Sequence, residues 1–598
     1  MKVQAAALGA AMGAVLVLSS CSGASTQHHG GPSTVTFAEQ PGASPNYIFP
    51  LLSGAYFDSV NQEQFQYLMY LPLYWFGQSG QPILNTSLSL AYPPVYSHGN
   101  SVVTIRLKGW KWSNGEVVDA RDVVFWMNLL KQEKTNFGPY VPGTFPDNVV
   151  SYTIVSPLVV RFNLNRGYAA NWFTDNELSQ ITPLPLAWDR TGASSHPGNY
   201  DQSPAGAKQV YSYLIAQAGV PSNYASDPLW QVVDGPWHLS KYDASTGYVA
   251  FARNARYSGP SRPGVRVFIE EPFTSASAEF NALRSGTIDY GYIPPEDASQ
   301  AGVLKRLGYS VAPWSVWGFT YVDLDYLNPT SGPIFAQPYI RQAMQSLIDQ
   351  PQIIRSVYAG DAVATNGPVP LSPVTDLVSP QERKGFWPYS PSAARALLTA
   401  HGWHVIPGGN SYCEHPGTGT GECGANIPSG AKLNFGFDYV SGTVAVANEV
   451  AILQSTFRSE AGIVLSLSSE PLNALLPIAT QCAGMTQMAS KCSWDMVYFG
   501  APRFLYEPDY YPTGEDIYAT GAADSGDGYS NPAVDRVISA TEAAGAGRKE
   551  MWAYEDAIGA LVPTPFLPTP PYQLSAYKSS LTGVVPQDPL TNVYPQMW

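Results

Sequence analysis

Charge is scarce in this chain. Only 13% of its 598 residues are Asp, Glu, Lys or Arg, and acids outnumber bases for a net charge of −14. A surface so poor in lysine and arginine is not built to neutralise phosphates, which excludes nucleic acid and anionic membrane surfaces as partners. Cysteine is scarcer still, at five, with no C-x2-C spacing that would hold a metal. Beyond the first twenty residues no apolar run is long enough to span a bilayer. Catalytic signatures are also missing: there is no H-E-x-x-H and no G-x-S-x-G. Ser575-Ala576-Tyr577-Lys578 fits S-x-x-K, but its companions S-D-N and K-T-G are absent. An exported hydrolase is therefore a remote reading, and the expected chemistry is binding without a catalytic residue, cofactor or metal.

What is present begins at the first residues. Lys2 precedes an apolar stretch, Ala5 to Leu18, too short for a span and flanked as a signal peptide is. It ends in Leu18-Ser19-Ser20-Cys21, which resembles the bacterial lipobox. That resemblance implies a signal peptide over 1–20, acylation of Cys21 and a mature protein held on the extracytoplasmic face of the bacterial cell membrane. Residues 21–33 are a Ser/Gly-rich tether, and its His28-His29 pair reads as polar filler. The four remaining cysteines fall in two pairs, Cys413 with Cys423 and Cys482 with Cys492. Three pairings are possible. Two local loops are the simplest in an oxidising compartment, each contributing about 2–3 kcal/mol by loop closure.

Aromatic residues make up 13% of the chain, with 15 Trp and 37 Tyr. Most must be core, yet Trp and Tyr also line clefts for polar ligands. Periodicity gives mixed helix and strand throughout. In Val103 to Leu130, Val103, Ile105 and Leu107 alternate as a half-buried strand, and Asn114-Gly115 supplies a turn. Asp119 then caps a helix, with Asp122 standing where a capping box has Glu. Val150 to Asn165 reads as a hairpin around Ser156-Pro157. Phe273 to Ile293 reads as helix, Gly286 stop and strand, and Ala431 to Ser469 as strand, helix from about Val444 to Ala461, and strand.

Six blocks, in order, resemble the family 5 extracytoplasmic solute-binding proteins of ABC importers, the oligopeptide, dipeptide and nickel binders. They are VTIRLKGWKWSNGEVVDARDVVFW, VDGPWHLSKYDASTGYVAFARNARYSG, ALRSGTIDYG, IRQAMQSLIDQPQIIRSVYAGDAVATNGPVP, YSPSAARALLTAHGW and WDMVYFG followed by YSNPAVDRVISATEAA. The resemblance implies an α/β, two-lobed, periplasmic-binding-protein-like clamp of type II, cluster C, with a small inserted domain. Lobe I would be discontinuous, 34–72 with 190–313 and 567–598. The inserted domain would be 73–189 and lobe II 314–566. The chain would cross between lobes near Ala312–Trp317 and Pro563–Pro568. The partners implied are the transmembrane subunits of an ABC permease, a small solute (oligopeptide first, oligosaccharide or another uncharged polar solute second) and the membrane through the anchor. The chain is expected to act as a monomer.

The same resemblance implies ligand contacts at Tyr498, Ala501, Arg503, Phe504 and Tyr506 in the far lobe, at Trp314, Trp317 and Phe319 by the hinge, and at Asn46 and Tyr47 in the first lobe. One departure bears on the solute. Peptide binders of the family carry a Trp and, three residues later, an Asp that holds the peptide's α-ammonium. Here Ala501 and Phe504 occupy those places, while Glu507-Pro508 matches the D-P pair that follows. Either Glu507 or Asp509 substitutes, or the solute lacks an α-ammonium.

Overall fold

The computed structural model describes residues 33–598 apart from 55, 57, 141, 261, 473, 476–493, 501, 523–527 and 585–587. Cys21, His28, His29, Cys482, Cys492 and Ala501 lie outside the described residues.

Residues distant in sequence build the first sheet. Its order is Tyr309–Trp314, Gln573–Lys578, Tyr290–Ile293, Thr34–Ala38, Val267–Glu271, Tyr248–Arg253 and Trp237–Asp243. Thr34–Ala38 runs parallel to Val267–Glu271 and Tyr290–Ile293, and the other pairings are antiparallel. The helix Ala276–Ser285 starts where the Ser275 side chain accepts from the Ala278 N–H. It stops at Gly286, whose φ of 76° suits a residue without a Cβ.

A smaller antiparallel sheet, Val95–Ser97, Val102–Arg106, Val159–Leu164 and Val149–Ser156 in that order, forms a separate layer. Val103, Ile105 and Leu107 are at most 1% exposed, as their alternation requires. The helix Ala120–Glu133 packs on this sheet. Asp119 accepts from the Arg121 N–H at 2.7 Å and Asp122 accepts from the Asp119 N–H at 3.0 Å, so the two acids form the expected reciprocal cap.

The second lobe is built on Asp323–Leu324, Met496–Tyr498, Asn434–Val440 and Val464–Glu470. The last three are mutually parallel. The helix Val444–Ala461 makes the crossover and buries Val450, Leu453 and Phe457 in one core with Phe435 and Phe437. Cys413 and Cys423 form a buried disulfide, S–S 2.07 Å, in this lobe. Between the lobes, Gly318–Tyr321 pairs with Phe504–Leu505 and with Phe566–Leu567. The chain leaves the first sheet after Trp314 and re-enters it at Gln573.

Candidate functional site

A cavity of about 480 Å³ lies between the two lobes. The first lobe contributes Gln40 and Pro41 after Thr34–Ala38, Thr274 to Ala276 after Val267–Glu271, and Tyr292 to Glu296 where Tyr290–Ile293 ends. The second lobe contributes Tyr358, Asp361 and Ser441 to Val446, which follow Asn434–Val440. Pro570 to Leu574, the returning chain, closes one side. The cavity thus faces the carboxyl ends of parallel strands from both lobes, where strand ends leave room and unpaired backbone for a ligand.

Two charged side chains line it, the exposed acids Glu296 and Asp361, and no lysine or arginine does. Opposite in sign is the start of the helix Val444–Ala461. Thr443 makes no side-chain cap there, so the first N–H groups and the positive end of an 18-residue helix point outward uncapped. Tyr292, Tyr358 and Tyr572 add aromatic area. Tyr358 is held from behind: its hydroxyl and that of Tyr498 both donate to Glu449 at 2.8 Å. Burial raises the Glu449 carboxyl to about 7, moderated by those two hydrogen bonds.

None of the nine described residues expected at the ligand lines this cavity. Trp317, Phe319, Phe504 and Tyr506 are brought together, with ring centroids 5.1–6.2 Å apart, as a packed cluster beside the hinge. Phe319 is fully buried, and Tyr506 donates to the Pro368 carbonyl at 2.8 Å. Trp314 donates to the Leu590 carbonyl and borders a separate cavity of about 370 Å³ between the first lobe and Gln78 to Leu88 of the inserted domain. Tyr498 lies beneath the cleft, on Glu449. Arg503 forms a two-pronged ion pair with Asp323 at 3.0 and 3.2 Å, so its carboxylate partner lies within the protein. Asn46 is exposed and its amide oxygen accepts from Asn61, while Tyr47 is buried and stacks on Tyr56 at 4.3 Å. Glu507 and Asp509 are also engaged: Glu507 accepts from the Thr591 N–H at 2.7 Å and Asp509 from Gln180 at 2.9 Å. The cleft residues passed over in sequence had one readable signal. Tyr292 to Glu296 and Ser441 to Thr443 are Pro, Gly and Ser-rich turns directly after strands.

The Ser-x-x-Lys pattern is not a catalytic pair. Ser575 and Lys578 sit three apart on one strand and so point to opposite faces. Ser575 accepts from the Tyr290 hydroxyl at 2.9 Å, and Lys578 pairs with Asp289 at 2.7 Å.

Two lobes joined by two crossings, with a small inserted sheet and a cleft at strand carboxyl ends, define a periplasmic-binding-protein-like clamp. The chain belongs to the bacterial extracellular solute-binding proteins, family 5, whose model matches residues 86–514. Members of that family are extracellular solute-binding proteins. A Brucella ovis relative named for ABC-transporter peptide binding is 29% identical over 313 residues, 51% of this chain and 50% of that one. The chain thus spans about half the length of that relative. Protein XP55 of Streptomyces lividans is 23% identical over 486 residues, 81% of this chain and 75% of that one. The fold is similar to that of the Bacillus subtilis oligopeptide-binding protein AppA, solved with a nonapeptide. That match has TM-score 0.67 and 16% identity, and covers 95% of this chain and 99% of AppA. NikA from Brucella suis, solved with Fe(III)-EDTA, gives 0.68 at 18% identity, covering 94% and 99%. Among the described residues no helix is long and apolar enough to cross a membrane.

Proposed function

We propose that this chain is a clamp, anchored through acylated Cys21, that captures short oligopeptides and delivers them to the transmembrane subunits of an ABC importer. The carrying observation is the charge layout of the inter-lobe cavity. Glu296 and Asp361 favour an ammonium group, the uncapped start of Val444–Ala461 favours a carboxylate, and tyrosines cover the length between. A peptide is the common solute with both ends charged and an apolar middle, and the names of relatives that bind peptides support the same reading. The volume lies within the range of roughly 300–1,000 Å³ usual for small-ligand sites, which favours short peptides in this conformation. On this reading Phe504 takes no part in ammonium binding, and the cleft acids replace the missing anchor. Lobe I (34–72, 190–313, 567–598), the inserted domain (73–189) and lobe II (314–566) are the rigid parts we assign to the clamp.

The test is a thermal-shift screen of free peptides, N-acetylated peptides and oligosaccharides, since binding to the folded state alone raises the melting temperature. Free peptides should stabilise the protein, and acetylation or Glu296→Gln with Asp361→Asn should remove most of the shift. Stabilisation by oligosaccharides alone would overturn the peptide reading. The mass of the mature N-terminal peptide reads the anchor.

A further inference from the structure

Away from the ligand cavity, the inserted domain meets the second lobe across a surface dense in carboxyl groups. On one side is the inserted-domain segment Tyr168 to Gln180, and on the other Glu507 to Asp516 and Glu542. The Tyr510 N–H donates to the Asp175 carbonyl at 3.0 Å and the Ala169 N–H to the Glu542 carbonyl at 2.7 Å. Trp172 and Asn176 donate to Glu515 at 2.6 and 2.9 Å, and Gln180 donates to Asp509. Glu177 therefore faces Asp509, Glu515, Asp516 and Glu542 across the seam, with Asp175 buried beside it. Asn148 donates to Glu177 at 2.7 Å, and Arg166 is the cation that pairs with this set, at 2.7 Å from Glu542. A second focus lies nearer the hinge. Glu507 faces the buried Glu63 of the first lobe, with Thr591 as donor, Asp58 behind Glu63, and Tyr67, Tyr510, Tyr572 and Tyr594 around the pair.

We propose that closing this clamp takes up protons, because these facing carboxyl groups fit together when neutral and repel when ionised, so that solute is held more tightly in acidic surroundings than in neutral ones. Opening the lobes would return each group to water and to an ordinary carboxylate range near 4. In this structure burial raises Glu507 to about 7 and Asp509 to about 8, the latter helped by Glu515 and Glu177. Burial alone raises Asp175 to about 8, and burial with Glu507 lifts Glu63 well above its usual value. The closed form thus binds more protons than the open form between roughly pH 4 and 8. Closure is favoured at the acid end and weakens as the pH rises through that window, by up to about tenfold per pH unit for each coupled proton.

The inference rests on the clamp reading for its effect on solute, so lobe separation is measured without solute first. Dyes placed on exposed positions of each lobe report the distance from pH 4.5 to 8.5, while circular dichroism reports folding. The expected result is a closed population that falls with rising pH while the protein stays folded. Glu63→Gln with Glu507→Gln, amides that mimic the neutral acids, should hold the clamp closed and flatten the dependence by at least tenfold at pH 8. Asp509→Asn, distant from that pair, should do the same in part. A pH-independent distance would overturn the proposal, as would variants with the wild-type profile, or unfolding in place of opening. If closure responds to pH but no peptide binds in either form, the peptide reading fails and this one stands.

Discussion

Arg503 and Asp323 show how one side chain can be claimed by two roles. Their side chains are 14% and 7% exposed, and the guanidinium also lies 4.7 Å from the Phe499 ring and 5.0 Å from the Tyr321 ring. A guanidinium so held is a fixed part of the second lobe, because its planar fork is already matched by a carboxylate. Arg503→Ala leaves Asp323 charged and enclosed, at a cost of about 3–5 kcal/mol. Urea unfolding should register that loss, and adding Asp323→Asn should recover part of it. If Arg503→Ala instead keeps its stability and loses peptide binding, the arginine serves the solute and the ion pair is incidental.

Elements were legible in the sequence wherever local rules had no rival. The reciprocal cap of Asp119 and Asp122 and the stop at Gly286 depend on a few adjacent residues, and they stand in the structure where spacing puts them. The hairpin Val149–Ser156 with Val159–Leu164 is of the same kind. The Cys413–Cys423 loop also forms, as its short span invites. The ligand side was harder to read. Phe319, Tyr498 and Tyr506 are aromatic, as cleft residues tend to be, but the same chemistry serves a core, and each is buried. Sequence carries no mark of which face of a lobe meets the other, because that depends on pairings such as Thr34 with Val267 over more than two hundred residues. The cleft residues were hidden for a related reason. Ser441, Gly442 and Pro294 acquire a role only from the parallel strands that end beside them.

At the scale of the whole molecule, buried acids outnumber the cations that would answer them. Both carboxyl oxygens of Glu270 are enclosed without a hydrogen bond, Glu382 lies against Glu555 in the second lobe, and Asp234 is fully buried. Burial raises Glu555 and Asp234 to about 8, and burial beside Glu39 lifts Glu270. Each is neutral in the fold at a pH where the unfolded chain has already ionised. The folded chain therefore binds more protons over roughly pH 4.5 to 8, and stability falls as the pH rises through that window. The melting temperature should be several degrees higher at pH 5 than at pH 8, read by scanning fluorimetry. The slope should persist in Glu63→Gln with Glu507→Gln, since those two acids belong to the seam between lobes. A flat profile would mean that the interior acids are hydrated.

The placement of Gln573–Lys578 between Tyr290–Ile293 and Tyr309–Trp314 has a consequence for how the molecule comes into being. A ribosome makes that strand long after the two strands that wait for it as their shared neighbour. Until it arrives, each presents an unsatisfied edge, and the first lobe cannot close on itself during synthesis. The second lobe, whose sheet strands all fall between Asp323 and Tyr498, has no such debt. The chain's own topology thus postpones its completion, and the lobe begun first is finished last.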